Sequence, residues 1–135
     1  MRLEPSAIRL AARLLREARR AWALTGAGVS TPSGLPDFRG PKGLWRTHNV
    51  EELSTLEGFH RNPRAFYSFW LWRFQLMSQA QPNQVHRFLA ALEEQGMLQG
   101  VITQNIDGLH QRAGSQRVLE VHGHVRSASC VSCGA

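Results

Sequence analysis

Apolar positions recur every three to four residues in some stretches of the chain and stand side by side in others. Ile8, Ala11, Ala12, Leu15 and Ala18 share one face between Ser6 and Arg20, with arginines opposite. That spacing predicts a helix, with Ser6 as its N-cap. Ala21-Trp22-Ala23-Leu24-Thr25 is a compact apolar run closed by Gly26, the pattern of a buried parallel strand. Residues 26–43 hold five Gly and three Pro and predict a loop. Within it Ser30 or Thr31 can cap a short helix with Pro32 in its first turn. Residues 50–79 read as helical. Phe66, Phe69, Trp70, Arg73, Phe74 and Met77 keep helical spacing there and predict a packed stripe. Pro82 interrupts it. Asn83 then caps a helix to Gln95, with Val85, Phe88, Leu89 and Leu92 on one face and Gly96 at its C-terminal end. A second strand over 99–103 feeds a polar loop over 104–110. A third strand over 117–121 ends at His122-Gly123-His124.

Strands separated by helical segments predict an α/β fold with a parallel sheet. The polar motifs fall just beyond strand ends, where open α/β sheets place their ligand crevice.

Composition narrows the class. A chain of 135 residues, 42% hydrophobic and 19% charged, fits one globular domain and not a disordered chain. The longest apolar run, Phe88 to Leu92, is far shorter than the roughly 20 residues a bilayer requires. Arg2, Arg9 and Arg13 interrupt any leader-like apolar core. These features predict a soluble, cytoplasmic protein with no membrane partner. The net charge is +6, and Lys42 is the only lysine. An arginine-rich start suggests either a polyanion footprint or a solvated helix face. No aromatic residue interleaves Arg9, Arg13, Arg16 and Arg19 as a stacking platform would, so nucleic acid is not the expected partner.

Four constellations can carry chemistry. Gly26-Ala27-Gly28 after a strand lets backbone N–H groups approach a phosphate, although the spacing departs from the usual dinucleotide fingerprint. Asp37 and Arg39 lie in the same loop. Asp37 and Asp107 are the only aspartates, and a salt-bridged turn would explain the first equally well. Thr103-Gln104-Asn105-Ile106-Asp107 offers donors and acceptors to a sugar or carboxamide, or simply an Asx-type turn. His122, after a strand and before Gly123, can serve as a general base or as a structural histidine. Cys130-Val131-Ser132-Cys133-Gly134 is half of a tetrahedral zinc site or a redox pair.

In this order the motifs resemble those of the sirtuins, the NAD-dependent protein-lysine deacylases. The likeness rests on residues 26–40, Gly43-Leu44-Trp45, Pro82-Asn83 with His86, residues 103–107, Arg112-Ala113-Gly114, Glu120-Val121-His122-Gly123 and the cysteine pair. It covers the N-terminal portion of such proteins. A second cysteine pair and the later strands have no counterpart here. The resemblance implies a Rossmann-like parallel sheet with helices on both faces, incomplete, plus a small helical module and the first half of a zinc ribbon. It divides the chain into 1–45 (sheet and cofactor loop), 46–80 (helical module), 81–125 (sheet again) and 126–135 (zinc-binding start). It implies NAD as cofactor, held by Gly26, Ala27, Gly28, Ser30, Asp37, Phe38, Arg39, Trp45, Gln104, Asn105, Ile106, Asp107 and His122. His122, Asn105 and Asp107 would be catalytic, with His122 as the base. The acyl group of an acylated protein lysine would pass to ADP-ribose as nicotinamide leaves. Some relatives that remove acidic acyl groups carry Tyr-x-x-Arg where this chain has Trp70-Leu71-Trp72-Arg73, which makes Trp70 and Arg73 substrate-binding candidates. Cys130 and Cys133 would give zinc half of its ligands. A non-catalytic, nucleotide-binding remnant is the alternative reading.

Overall fold

Three parallel strands carry the architecture, seen in a computed structural model that describes residues 4–41, 43–130 and 132–135, apart from the Val50 side chain. Arg2, Lys42 and Val131 lie outside the described residues. The strands are β1 (Ala23–Thr25), β2 (Val101–Thr103) and β3 (Val118–Glu120), side by side in that order. Thr25 pairs with Thr103, and Thr103 with Glu120, so all three strands end on one edge. The predicted runs are longer than the strands. Their starts still exchange Gln99 N–H to Ala21 O (2.8 Å) and Ala23 N–H to Gly100 O (3.1 Å). Gly100, at φ 155°, turns the chain out of regular strand geometry.

One face of the sheet is covered. Val101 packs with Leu92 and Leu98, flanked by Leu15, Ala21, Ala23, Leu89 and Met97. The other face is largely uncovered by the described residues. Leu24, Ile102 and Leu119 form one register row, with Leu24 72% and Leu119 50% exposed. Trp22 and Val121, two residues along, are exposed as well. A parallel sheet normally buries both faces.

Helix α1 (Pro5–Glu17) starts with Pro at its first turn after Glu4 and has no side-chain cap. Ser6 therefore lies inside the helix and not at its N-cap, because proline fits the first turn, where its missing N–H costs nothing. The predicted apolar face meets the core only in part: Leu15 packs beside the Val101 cluster and Ala12 is partly buried, but α1 has no fully buried residue and Ile8 is exposed. Arg9, Arg13 and Arg16 are exposed too, and the Arg13–Glu17 pair at 4.0 Å contributes about 0.5 kcal/mol at most.

The long helical stretch is three helices: α2 (Val50–Ser54), α3 (Leu56–Arg61) and α4 (Pro63–Gln79). Side chains capping N–H groups set the breaks, Thr55 taking Gly58 N–H (3.0 Å) and Asn62 taking Ala65 N–H (3.1 Å). On α4 the predicted stripe splits. Arg73 and Met77 are buried, Phe66, Phe69 and Trp70 are partly buried, and Phe74 faces outward. Helix α5 (Gln84–Glu94) has Asn83 at its N-cap, and Gly96 closes its end in the left-handed region. Leu92 is buried as expected, while Val85 and Phe88 are exposed, because α5 meets the sheet along a narrower seam than its apolar face offers. A short α6 (Leu109–Arg112) replaces the end of the predicted 104–110 loop. Leu109, fully buried with Leu35, Met77 and Ala80, ties that loop to α4. No helix among the described residues is long and apolar enough to cross a membrane.

Candidate active site

Beyond the shared strand edge lies a cavity of about 620 Å³, walled by the turns after each strand and by α4. Of the predicted site residues it gathers Ala27, Gly28, Ser30, Asp37, Phe38, Arg39, Trp45, Trp70, Arg73, Gln104, Asn105, Ile106, Asp107 and His122. Gly26 stands just behind the lining, with its carbonyl accepting from Asn105. Cys130 and Cys133 are not part of it.

Asn105 is the hub. Its side-chain amide nitrogen donates to Gly26 O (3.1 Å) and Ser30 Oγ (3.0 Å). A carbonyl only accepts, so these contacts fix the amide's orientation and leave Oδ1 as the acceptor available to a ligand. Ser30 in turn donates to Asp107 Oδ2 at 2.7 Å. The other Asp107 oxygen takes Leu109 N–H at 2.9 Å, at the start of α6. Asp107 is thus a fixed anionic acceptor held on both oxygens, and the 104–108 turn is braced to the Gly26–Ser30 turn.

The 37–45 loop folds back on itself. Leu44 N–H donates to Asp37 O (2.9 Å) and Trp45 N–H to Phe38 O (3.1 Å). The Asp37 carboxylate accepts Gly40 N–H at 3.0 Å, so among the described residues it holds a turn and no salt bridge. Gly40 and Gly43 permit this closeness. A Cβ on Gly43 would stand 2.5 Å from the Phe38 carbonyl. Arg39 lies over the Trp45 ring at 4.6 Å, and Phe38 meets Trp45 at 5.7 Å.

On the α4 side, Arg73 is only 5% exposed and lies 5.4 Å from the Phe38 ring centroid. Among the described residues its Nη1 has no hydrogen-bond partner. Burial lowers its pKa, and the charge of Asp107 partly offsets that. A buried guanidinium nitrogen without an acceptor is costly and favours an anionic guest. Trp70 donates to Leu53 O at 2.8 Å, so it presents an apolar face to the cavity.

At the β3 end, His122 Nδ1 lies 3.0 Å from Gln104 O. The carbonyl accepts, so Nδ1 is the donor in this contact and Nε2 is the nitrogen turned to other partners. The turn bearing His122 is closed by Arg126, whose Nη1 donates to Glu120 Oε1 at 2.8 Å. That hydrogen bond is the main cause holding the Glu120 carboxyl below its ordinary value. Its stabilisation is therefore present above the unfolded carboxyl's pKa and fades as pH falls through the folded one. Arg126→Ala is expected to return Glu120 toward the ordinary carboxylate range, read by NMR titration of its side chain. An unmoved Glu120 would refute this account of the turn.

The Sir2 family profile matches residues 26–135, which include every one of these turns. The chain belongs to the Sir2 family. It is 52% identical to an NAD-dependent protein deacylase of Aeropyrum pernix over 124 residues, 92% of this chain and 51% of that protein. The figures for the NAD-dependent protein deacylase of Thermococcus kodakarensis are 51% identity, 91% and 48%. Among solved structures, a mutant Sir2 homologue in complex with ADP ribose superposes with a TM-score of 0.90 at 40% identity, covering 98% of this chain and 52% of that one. A Sir2 homologue–NAD complex gives 0.86 at 42%, covering 94% and 50%. The Sir2 chain thus spans about half the length of the relatives it matches.

Sequence reasoning missed several features of this Sir2-family chain. His48 lines the cavity, stacked on Trp72 and tilted against Phe69. Buried Thr103, His86 and His110, with half-buried Thr25, form a polar layer behind the site. Cys130 and Cys133 are free and exposed, and no group of three metal-ligating side chains exists among the described residues. Two thiols supply half of a tetrahedral zinc set, so no chemistry is assigned to zinc here.

Proposed function

We propose that this chain carries the cofactor- and acyl-lysine-handling part of an NAD-dependent protein-lysine deacylase. The observation that carries the reading is the convergence of Asp37, Asn105 and His122 on one cavity, from turns far apart in sequence. NAD, when bound, would supply the reactive bond between ribose and nicotinamide. Gly26, Ala27 and Gly28 would meet the pyrophosphate through backbone, beside Ser30. Asp37, Phe38, Arg39 and Trp45 would close over it. Gln104, Asn105, Ile106 and Asp107 would face nicotinamide and its ribose, with the free Asn105 Oδ1 accepting from an N–H or O–H donor. His122 would take a ribose hydroxyl proton at Nε2. The domain division given by the sequence, with 46–80 as a helical module and 126–135 as half of a zinc module on Cys130 and Cys133, belongs to the same reading.

Isothermal calorimetry with NAD, and NAD consumption with an acylated peptide, test it. Turnover abolished by His122→Ala supports the enzyme. NAD binding without turnover supports a nucleotide-binding fragment, which the bare sheet face favours. No binding at all defeats both.

The orphaned Arg73 supports an acidic acyl group, such as succinyl, over acetyl. Arg73→Met is expected to lower the succinyl-to-acetyl preference roughly ten- to hundredfold, as for a lost charge-assisted hydrogen bond. Competition between the two acyl peptides reads this, and an unchanged ratio removes Arg73 from the substrate site.

A further inference from the structure

Behind the cavity, two histidines are sealed from solvent, His86 at 0% and His110 at 1% exposure, with ring centroids 4.8 Å apart. Neither lines the cavity, and the proposed chemistry uses neither. Their hydrogen bonds nevertheless lead to it. The Thr25 hydroxyl donates to Thr103 Oγ1 at 2.8 Å. Its one proton is therefore engaged, and it meets His110 Nε2, 2.9 Å away, with a lone pair. With the hydroxyl so oriented, Nε2 carries the imidazole proton and donates it to Thr25. Thr103 Oγ1 also accepts Asn105 N–H at 3.0 Å. From Asn105 the path continues through Ser30 and Asp107 to Leu109 N–H, the residue before His110. The circuit closes on itself.

The second imidazole completes the pattern. His86 Nδ1 accepts Asn83 N–H at 3.3 Å, so a neutral His86 keeps its proton on Nε2. His86 Nε2 and His110 Nδ1 are both buried without a partner, one a donor and the other an acceptor in these tautomers. In these tautomers the two neighbouring rings are complementary as donor and acceptor. Burial, then the neighbouring His86, drive the His110 pKa down to about 4, against a smaller opposing pull from Asp107.

We propose that His110 is a positioning residue. Held as the neutral Nε2–H tautomer, it fixes Thr25 and Thr103 and through them the backbone of Asn105, so that Asn105 Oδ1 and the Asp107 carboxylate stand ready for the ligand. The inference rests on the functional reading above only for the ligand's identity.

Its test has two arms. Long-range ¹H–¹⁵N NMR of the unaltered chain is expected to show His110 protonated at Nε2 and bare at Nδ1 from pH 8 to pH 5, and His110→Phe to shift the Asn105 side-chain amide resonances. His110 in the opposite tautomer or as an imidazolium, or unmoved Asn105 peaks, overturns the proposal. This arm needs no cofactor, so it is decided separately from NAD binding. In the second arm NAD affinity is compared for His110→Phe, Thr25→Val and the double variant. Each single change is expected to weaken binding about tenfold, with the double no worse than either, because both cut the same link. His110→Gln, which keeps an N–H donor, is expected to restore most of the affinity. Losses that multiply in the double variant, or full affinity in His110→Phe, overturn the proposal.

Discussion

Between pH 6.5 and pH 4 the folded chain is expected to lose about 3 kcal/mol of stability through His110 alone. Its pKa sits near 4 in the fold, against an ordinary 6.5. As pH falls, the unfolded chain therefore takes up the proton first. The sign follows: the stabilisation is complete above about pH 6.5 and drains away toward pH 4. His86, lowered mainly by its own burial, pushes in the same direction. The Glu120 carboxyl adds a further loss only at lower pH, as its folded pKa is approached. Urea midpoints at steps from pH 7.5 to pH 4.5 measure the slope. His110→Gln, which cannot take up the proton, is expected to flatten it. A wild-type slope in that variant would mean that the acid sensitivity lies elsewhere.

Gly100→Ala is the second large effect. Gly100 has φ 155°, and a Cβ there would stand 2.5 Å from Arg117 O. That carbonyl cannot retreat cheaply, because it accepts Val101 N–H at 2.8 Å in the β2–β3 ladder. Backbone strain and steric overlap together are expected to cost about 3 to 5 kcal/mol. Chemical denaturation reads it directly. A loss below about 1 kcal/mol would show that β3 can shift, and that the sheet edge is looser than its register suggests.

The site was more legible than the packing around it. Gly26 to Ser30, Gln104 to Asp107 and His122 each follow a strand, and side-chain chemistry at a strand end is written locally in sequence. One cap was legible as well: Asn83 announces α5 because its own side chain takes the Val85 N–H, whereas neither Ser6 nor Ser30 caps a helix through its side chain. Burial was less legible. The faces of α1 and α5 have helical periodicity, yet Ile8, Leu14, Val85 and Phe88 are exposed, since periodicity says which residues share a face and not what covers it. Ser6 misled because Pro5 already starts the helix. The buried histidines were illegible for another reason. His86 and His110 look like any polar residue until the register of Thr25 with Thr103 brings α5 and α6 to the same place.

The row of Leu24, Ile102 and Leu119 has a practical corollary. Among the described residues this apolar strip lies between two unpaired strand edges, and such a surface is adhesive in water. Copies are expected to associate through that strip as concentration rises, and more so on mild warming, since apolar attraction weakens on cooling. Any preparation of it will therefore be governed by how much is in the tube, and a single aspartate in place of Leu24 should make it markedly better behaved without touching the hollow on the far edge.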